Sequence, residues 1–381
     1  MVVNKPPMGW NSWNTFGTSI NEQIIFETVD ALVEKGYKDA GYEYVVIDDC
    51  WMARERDENG DLTANPEKFP HGMKYVGDYI HSKGMKFGIY SSASPLTCQG
   101  YPASYGHEYR DAKRFAEWGV DYLKYDLCHF PGKADYRNAY LTMGMALRAS
   151  GRDILYALCP IGIGEPEKWS RAVGGHMYRS TVDIFDSFES LKDNAQKQFY
   201  KTHYSAPGCF NDIDMLIVGM HGKGLVADVY GLNGCSDEEY RMHFAFWCMF
   251  GSPLMIGCDV RNVDDYCRDT LLNRELIAIN QDAEARPIYF DERARFHDDN
   301  KIGFMKMLEN NKIVLGYFNF SDSKAAVNVY FEDFGIAAES GYGLELTDVM
   351  TGENIGKKFD AYCPTLEAHS FKVFKAEFCK R

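Results

Sequence analysis

The segment Tyr122–Cys128 combines a buried strand with side chains that can do chemistry. Lys124 and Asp126 are two residues apart, so on one strand their side chains point to the same side. A lysine and an aspartate inside a sheet cost free energy unless they pair or take part in a reaction. A purely structural ion pair would also fit, but similar polar strand ends recur along the chain and favour a functional site.

Polar and aromatic side chains lie at the ends of several other apolar strands. These side chains are Trp10 after the first strand, Asp48 and Asp49 after 44–47, Tyr90 at the end of 86–90, Arg179 on 176–181 with Asp183 beyond it, and Asp214 on 212–216. Paired carboxylates can cleave a glycosidic bond, whereas clustered carboxylates can hold Mg²⁺ or Mn²⁺. A metal would repel Lys124 beside Asp126. We therefore favour a glycosidase and expect no metal and no cofactor.

These strands alternate with helices eight times, which predicts a (β/α)₈ TIM barrel over residues 1–285. An open doubly wound sheet is the alternative, but the glycine-rich phosphate loop expected after its first strand is missing. The predicted strands are 8–13, 44–47, 86–90, 122–128, 153–159, 176–181, 212–216 and 253–257. The predicted helices are 21–36, 73–83, 108–118, 136–149, 165–173, 188–202, 236–250 and 269–280.

The pattern changes near residues 283–290, where short alternating segments replace the strand–helix repeat. They predict a C-terminal antiparallel β-sandwich over residues 286–381, with a turn at 351–354. The segments are 302–307, 312–319, 326–331, 343–346 and 370–374. No low-complexity linker precedes them, so we expect the two domains to pack closely.

Composition narrows the class of partner. The chain has 381 residues, a net charge of −14 and 14% aromatic residues. Its negative charge argues against nucleic acid and anionic membranes and suits a neutral substrate. No charged-then-apolar leader and no bilayer-length apolar run is present, so we expect a cytoplasmic protein, or a secreted one if a leader has been removed. The 11 cysteines lack zinc-site spacing, and most should be buried free thiols. Homo-oligomerisation is left open.

Taken together, the motifs resemble those of glycoside hydrolase family 27, which contains α-galactosidases and α-N-acetylgalactosaminidases. The resemblance runs in order from residue 6 to about 282 and implies a retaining exo-glycosidase acting on terminal α-linked galactose. The motifs are Met8–Trp13, Ile47–Trp51, Lys124–Cys128, Tyr178–Thr181 with Asp183 and Ile184, and Asn211–Asp212 with Asp214–Leu216.

The resemblance implies that Asp126 is the nucleophile and Asp183 the acid/base, with their carboxyls about 5–5.5 Å apart, as in retaining glycosidases. Lys124 should keep Asp126 ionised and touch the sugar. Asp183 should have the higher pKa because it must start protonated.

The resemblance also implies a sugar pocket. Asp48 and Asp49 match ligands of the galactose O4 and O6, and Arg179 matches a residue near the 2-substituent. Trp10, Tyr90 and Met215 match the pocket wall, although Tyr90 and Met215 could equally be core residues. Asp214 joins the substrate-binding group. Cys98 and Cys128 match a pair that forms a disulfide at the pocket edge.

The sequence departs from the family pattern at several places, among them Tyr90–Ser94, Cys209–Phe210, Ile213 and Val182. Two further departures lie close to the expected site. Cys50 has lost its usual cysteine partner, and Pro160 follows Cys159 where an acidic or amide residue usually lies near the sugar O2. Gly162 and Gly164 could open the pocket for an acetamide, so α-N-acetylgalactosaminidase stays an alternative, as does β-L-arabinopyranosidase. A branched neighbouring sugar, such as a 2-fucosylated galactoside, would also fit an opened pocket. A non-catalytic sugar-binding protein should have lost Asp126 or Asp183.

Overall fold

The N-terminal part of the chain folds into a ring of parallel strands. The computed structural model describes residues 3–132, 135–290 and 297–381. The strands, in chain order, are β1 Met8–Asn11, β2 Tyr44–Ile47, β3 Lys86–Ser92, β4 Tyr122–Asp126, β5 Leu155–Cys159, β6 Met177–Arg179, β7 Phe210–Asp212 and β8 Leu254–Ile256. Each pairs in parallel with the next, and β1 pairs with β8. A parallel bridge between Leu216, beyond β7, and Ile256 links the remaining two neighbours. The predicted TIM barrel is confirmed.

Helices connect the strands and cover the ring. They are α1 Trp13–Phe16, α2 Glu22–Glu34, α3 Tyr37–Ala40, α4 Gly72–Ser82, α5 Glu108–Glu117, α6 Tyr136–Ala149, α7 Pro166–Trp169, α8 Phe188–Gln196, α9 Leu225–Asp228, α10 Asp237–Phe250, α11 Asp265–Leu271 and α12 Arg274–Asn280. Within the described ranges, no helix combines the length and the apolar character needed to cross a bilayer.

Several predicted element bounds are wrong. The single helix predicted over 269–280 is two helices, because the Asn273 side chain accepts a hydrogen bond from the Leu276 N–H and starts α12 anew. The helices predicted over 165–173 and 188–202 are shorter, namely α7 and α8. The strand predicted over 212–216 ends at Asp212, so Asp214 lies in the loop beyond β7.

The C-terminal part is antiparallel, as predicted. Its main sheet has the order β14-β13-β17-β10-β9, and two further pairs are β11 with β16 and β12 with β15. The strands are β9 Lys301–Leu308, β10 Lys312–Asn319, β11 Ala325–Ala326, β12 Val329–Tyr330, β13 Tyr342–Asp348, β14 Asn354–Lys358, β15 Ala361–Tyr362, β16 Thr365–Leu366 and β17 Ser370–Lys380. The one strand predicted over 326–331 is split into β11 and β12, and β14 was not predicted.

One hydrophobic cluster extends from the barrel into the C-terminal part. Phe246 and Phe250 on α10 contact Phe304 on β9, with ring centroids 6.0 and 5.1 Å apart. Phe318 on β10 lies 5.3 Å from Phe246. All four belong to the cluster that also fills the space around the barrel strands. The expected close packing is confirmed, while the boundary at residue 285 stays a prediction.

Candidate active site

The predicted site residues meet in one cavity at the carboxyl ends of the barrel strands. Its volume is about 330 Å³, within the range of small-molecule sites. The predicted residues that line it are Asp48, Asp49, Tyr90, Cys98, Lys124, Asp126, Arg179, Asp183, Asp214 and Met215. Because parallel strands end at the same edge of a barrel, residues far apart in sequence converge here.

An ion pair forms the floor of the cavity. The Nζ of Lys124 lies 2.7 Å from the Oδ2 of Asp48, which also accepts a hydrogen bond from the Asn11 side chain. Burial alone would lower the pKa of Lys124, but the charges of Asp48 and Asp126 outweigh it and raise this pKa well above the ordinary lysine value. The lysine is therefore a fixed cation, and its direct partner is Asp48.

Asp49 lies next to this pair without a cation of its own in the described structure. Its Oδ1 accepts from the backbone N–H of Cys50, and its Oδ2 accepts from the backbone N–H of Gln99. Burial raises the pKa of Asp49 to about 6, even though these hydrogen bonds favour the charged form. Cys50 has a φ of 76°, a left-handed conformation that turns the chain sharply after Asp49.

Asp126 ends β4 and is held by two donors. Its Oδ1 accepts from the backbone N–H of Leu127 at 2.8 Å, and its Oδ2 accepts from the Tyr90 hydroxyl at 3.1 Å. Tyr90 reaches it from β3, where it pairs in register with Lys124. Burial raises the pKa of Asp126, and the charge of Lys124 offsets part of that rise. The expected electrostatic support from Lys124 is present.

Arg179, at the end of β6, is shared between two carboxylates. Its Nη2 lies 2.6 Å from the Oδ1 of Asp183 and 2.7 Å from the Oδ2 of Asp214. The same Asp214 oxygen accepts from the backbone N–H of Ile184 at 2.7 Å. Asp214 thus joins the end of β6 to the loop that carries Asp183. Burial raises the pKa of Asp214 to about 7, although Arg179 opposes this.

The pKa order expected for the two principal carboxyls is wrong for the ligand-free protein. Burial would raise the pKa of Asp183, but the Arg179 guanidinium outweighs it and holds this pKa below the ordinary value. The pKa of Asp126, in contrast, is raised.

Known proteins are similar to this chain in sequence and in fold. The sequence model of the alpha galactosidase A family matches residues 5–282. The chain belongs to this family. The resemblance of this chain's motifs to glycoside hydrolase family 27 is thereby confirmed.

Individual relatives match over most of the chain. An alpha-galactosidase of Cyamopsis tetragonoloba is 37% identical over 370 residues, covering 97% of this chain and 85% of the relative. Alpha-galactosidase A of Cellvibrio japonicus is 43% identical over 292 residues, covering 74% and 68%. The crystal structure of alpha-galactosidase I from Mortierella vinacea superposes with a TM-score of 0.88 at 32% identity, covering 98% and 97%.

Three predicted residues do not line the cavity, namely Trp10, Pro160 and Cys128, which is disulfide-bonded to the lining residue Cys98. Trp10 is fully buried, and its indole N–H donates to the carbonyl of Cys258, so it faces the barrel wall. Trp13, three positions on, lines the cavity instead. Pro160 begins a tight turn in which its carbonyl accepts from the Ile163 N–H, and Cys159 is the lining residue. The proposed contacts of Trp10 and Pro160 with the sugar are therefore not supported.

The two glycines after Pro160 have a packing explanation. A Cβ on Gly162 would lie 3.0 Å from the carbonyl oxygen of Ser180, and one on Gly164 would lie 1.8 Å from the hydroxyl of Tyr136. Both glycines have a positive φ. The positive φ and the close contacts thus account for both glycines without a pocket enlarged for an acetamide.

Sequence reasoning missed part of the lining. The missed residues are Trp13, Asn14, Gln99, Cys159, Ile184, Phe185, Leu225, Val226, Val229 and Tyr230. Trp13 belongs to the motif Met8–Trp13, in which only Trp10 was predicted to line the site. The segment 225–230, which contains α9, carried no signal, because it belongs to the long connection between β7 and α10, whose position depends on contacts with other connections.

Cysteines border the site as predicted. Cys98 and Cys128 form a disulfide between the loops after β3 and β4. Cys50 is a buried free thiol. Two groups in the described residues have metal-ligand spacing: Cys98, Asp126 and Cys128, whose sulfurs are joined, and His221, Asp237 and Cys267 outside the cavity. The His221 Nε2 is already hydrogen-bonded to Asp264 at 2.7 Å.

Proposed function

We propose that the protein is a retaining exo-α-galactosidase that hydrolyses terminal α-linked galactose from oligosaccharides or glycoconjugates. The observation that carries the proposal is the pairing of a buried carboxylate, Asp126, with an exposed one, Asp183, in the same cavity. Its relatives include alpha-galactosidases, and the match with the Cyamopsis enzyme covers 97% of this chain. Two carboxylates in different environments are what a double displacement requires.

In the first step, Asp126 attacks the anomeric carbon while the bond from that carbon to the leaving oxygen breaks. Asp183 donates its proton to this oxygen, and a galactosyl-enzyme ester forms on Asp126. In the second step, Asp183 takes a proton from water, and the water oxygen displaces Asp126 from the anomeric carbon. Both substitutions invert the carbon, so the product keeps the α configuration.

The protonation states must change when substrate binds. The Arg179 guanidinium favours the charged form of Asp183 and lowers its pKa. A sugar that fills the cavity removes water from its exposed carboxyl, and desolvation favours the protonated form. When Asp126 becomes an ester its negative charge disappears, which lowers the pKa of Asp183 again. The same carboxyl then serves as the base.

The cavity floor suits a galactose ring. Asp48, Asp49 and Lys124 present acceptors and a donor for adjacent sugar hydroxyls. The packing of Gly162 and Gly164 removes the feature that had pointed to α-N-acetylgalactosaminidase. The cytoplasmic location, the absence of nucleic-acid and membrane partners and the assembly state stay predictions.

Azide rescue with an aryl α-galactoside tests both roles. We expect Asp126→Gly and Asp183→Ala each to lose on the order of 10⁴-fold or more in activity on an unactivated galactoside. With azide, the first variant should yield β-galactosyl azide and the second α-galactosyl azide, because azide replaces the nucleophile in one and water in the other. Asp78→Ala is the control, since Asp78 is similarly exposed on α4, outside the cavity.

The anomeric form of the first product decides the stereochemistry. Wild-type enzyme should release α-galactose, as seen by time-resolved proton NMR. Release of β-galactose, or full activity of Asp126→Gly, would contradict the proposal.

A further inference from the structure

Part of the cavity lining is apolar, and it includes Phe185, two residues beyond Asp183. Three side chains form this aromatic wall: Phe185, from the loop after β6, and Val229 and Tyr230, from the segment after α9. Val229 is 58% and Tyr230 62% exposed. Exposed apolar groups that border a site usually contact a ligand. The reaction described above gives this wall no role.

The aromatic wall is held in place before any substrate binds. The rings of Phe185 and Tyr230 meet edge to face, with centroids 4.5 Å apart and planes at 86°. The fully buried Asp186 joins the two loops, since its carboxylate accepts from the backbone N–H of Gly222 at 2.8 Å and from the Tyr240 hydroxyl at 2.7 Å. The exposed Tyr230 ring is therefore fixed on a braced support.

The position of the aromatic wall matches the position of the leaving group. The galactose ring belongs on the polar floor, near the deeply buried Asp48 and Asp126. The leaving oxygen must face Asp183, whose side chain is 65% exposed. Everything attached to that oxygen then lies toward the exposed part of the lining, which includes Tyr230.

We infer that the aromatic wall binds the leaving group, and that this group is a sugar ring whose C–H face packs on Tyr230. The inference rests on the proposed function. The exposed side chains of Lys223 and Asp228 flank the wall, so it is a small aromatic platform with polar surroundings. That combination suits a pyranose ring, which has an apolar face and polar edges, better than a lipid chain, which needs a continuous apolar groove.

A pair of substrates with the same galactose separates this contact from the rest of the site. α-Galactosyl-1,6-glucose carries a ring in the leaving group, whereas α-galactosyl fluoride carries none. We expect Tyr230→Ala to lower the ratio of kcat/KM for the disaccharide to kcat/KM for the fluoride about tenfold. Tyr230→Phe keeps the ring, so it should hold the ratio within about twofold of wild type.

Tyr109→Ala is the matched control, because Tyr109 is 54% exposed on α5, outside the cavity. Its ratio should equal that of wild type. An unchanged ratio in Tyr230→Ala, or an equal fall on both substrates, would overturn the inference and leave the proposed function standing. If wild-type enzyme hydrolyses neither substrate, the proposed function fails and the inference falls with it.

Discussion

Two lysines lie inside this protein in opposite electrostatic surroundings. Lys124, in the barrel cavity, has its Nζ 2.7 Å from a carboxylate oxygen of Asp48. Lys306, on β9 at the interface with the barrel, is 1% exposed, and its Nζ donates to the carbonyl of Ile279 at 3.0 Å. Within the described ranges, no carboxylate forms an ion pair with Lys306. The pKa of Lys124 is raised well above the usual value, whereas burial lowers the pKa of Lys306 to about 8.

The difference shows that burial alone does not identify a functional charge. Burial disfavours the ammonium at both positions, and only the carboxylates around Lys124 reverse the effect. A paired cation beside two further carboxyls can bind and polarise a substrate. An unpaired lysine at a domain interface mainly costs stability while its methylene groups pack. Three substitutions test how neighbouring charges and burial set the energetics of these groups.

The largest effect is expected from Lys124→Met. Removing one partner of a buried pair leaves Asp48 as an uncompensated charge, so we expect a loss of about 3–5 kcal/mol in the free energy of unfolding. Activity should fall by about 10²–10³-fold, because a donor fixed in the site is gone. Urea unfolding at pH 7 and kcat/KM on an aryl α-galactoside measure the two losses.

The double variant Lys124→Met with Asp48→Asn is the control for this result. It removes both charges, so it should be more stable than Lys124→Met alone yet stay inactive. If Lys124→Met unfolds at the same urea concentration as wild type, the ion pair between Lys124 and Asp48 contributes no net stability.

Lys306→Met should have the opposite sign. The folded pKa of Lys306 is about 8 against an ordinary value of 10.5, so keeping it charged below pH 8 costs about 3 kcal/mol of folding free energy. After loss of one hydrogen bond, methionine should gain about 2 kcal/mol at pH 7. The gain should shrink as pH rises from 8 to 10.5, because the wild-type lysine then becomes neutral in both states. A gain that is equal at pH 7 and pH 10 would contradict the assigned cause.

Asp49→Asn should have the smallest effect on stability. The folded pKa of about 6 exceeds the ordinary value of 3.8, so wild-type protein loses stability as pH rises from about 4 to 6, because the unfolded chain gives up the proton first. Asparagine lacks this titration. After loss of one accepted hydrogen bond, we expect it to be about 1 kcal/mol more stable at pH 7, with activity lost. Thermal unfolding at pH 4 and pH 7 should show no advantage at the lower pH.

Much of the fold and site followed from local sequence patterns. Apolar runs and helical periodicity predicted the barrel and the antiparallel C-terminal part, and polar strand ends predicted a cluster that contains Asp48, Lys124, Asp126 and Arg179. Side-chain caps and short pairings defeated the pattern elsewhere. Asn273 divides the predicted last helix, and β14, which pairs with β13 across the turn predicted at 351–354, was not predicted.

The sequence alone determined that the polar residues at the strand ends, such as Asp48, Lys124 and Asp126, reach the cavity edge. Alternation along a strand and the shared direction of parallel strands are local properties. Only the tertiary structure decided how those residues pair. Lys124 binds Asp48 through contacts between different strands, and Arg179 lowers the pKa of Asp183 through a loop anchored by Asp214. Tyr230 reaches the cavity because two distant loops meet at Asp186. Such distances depend on the packing of segments far apart in the chain, which no local pattern encodes.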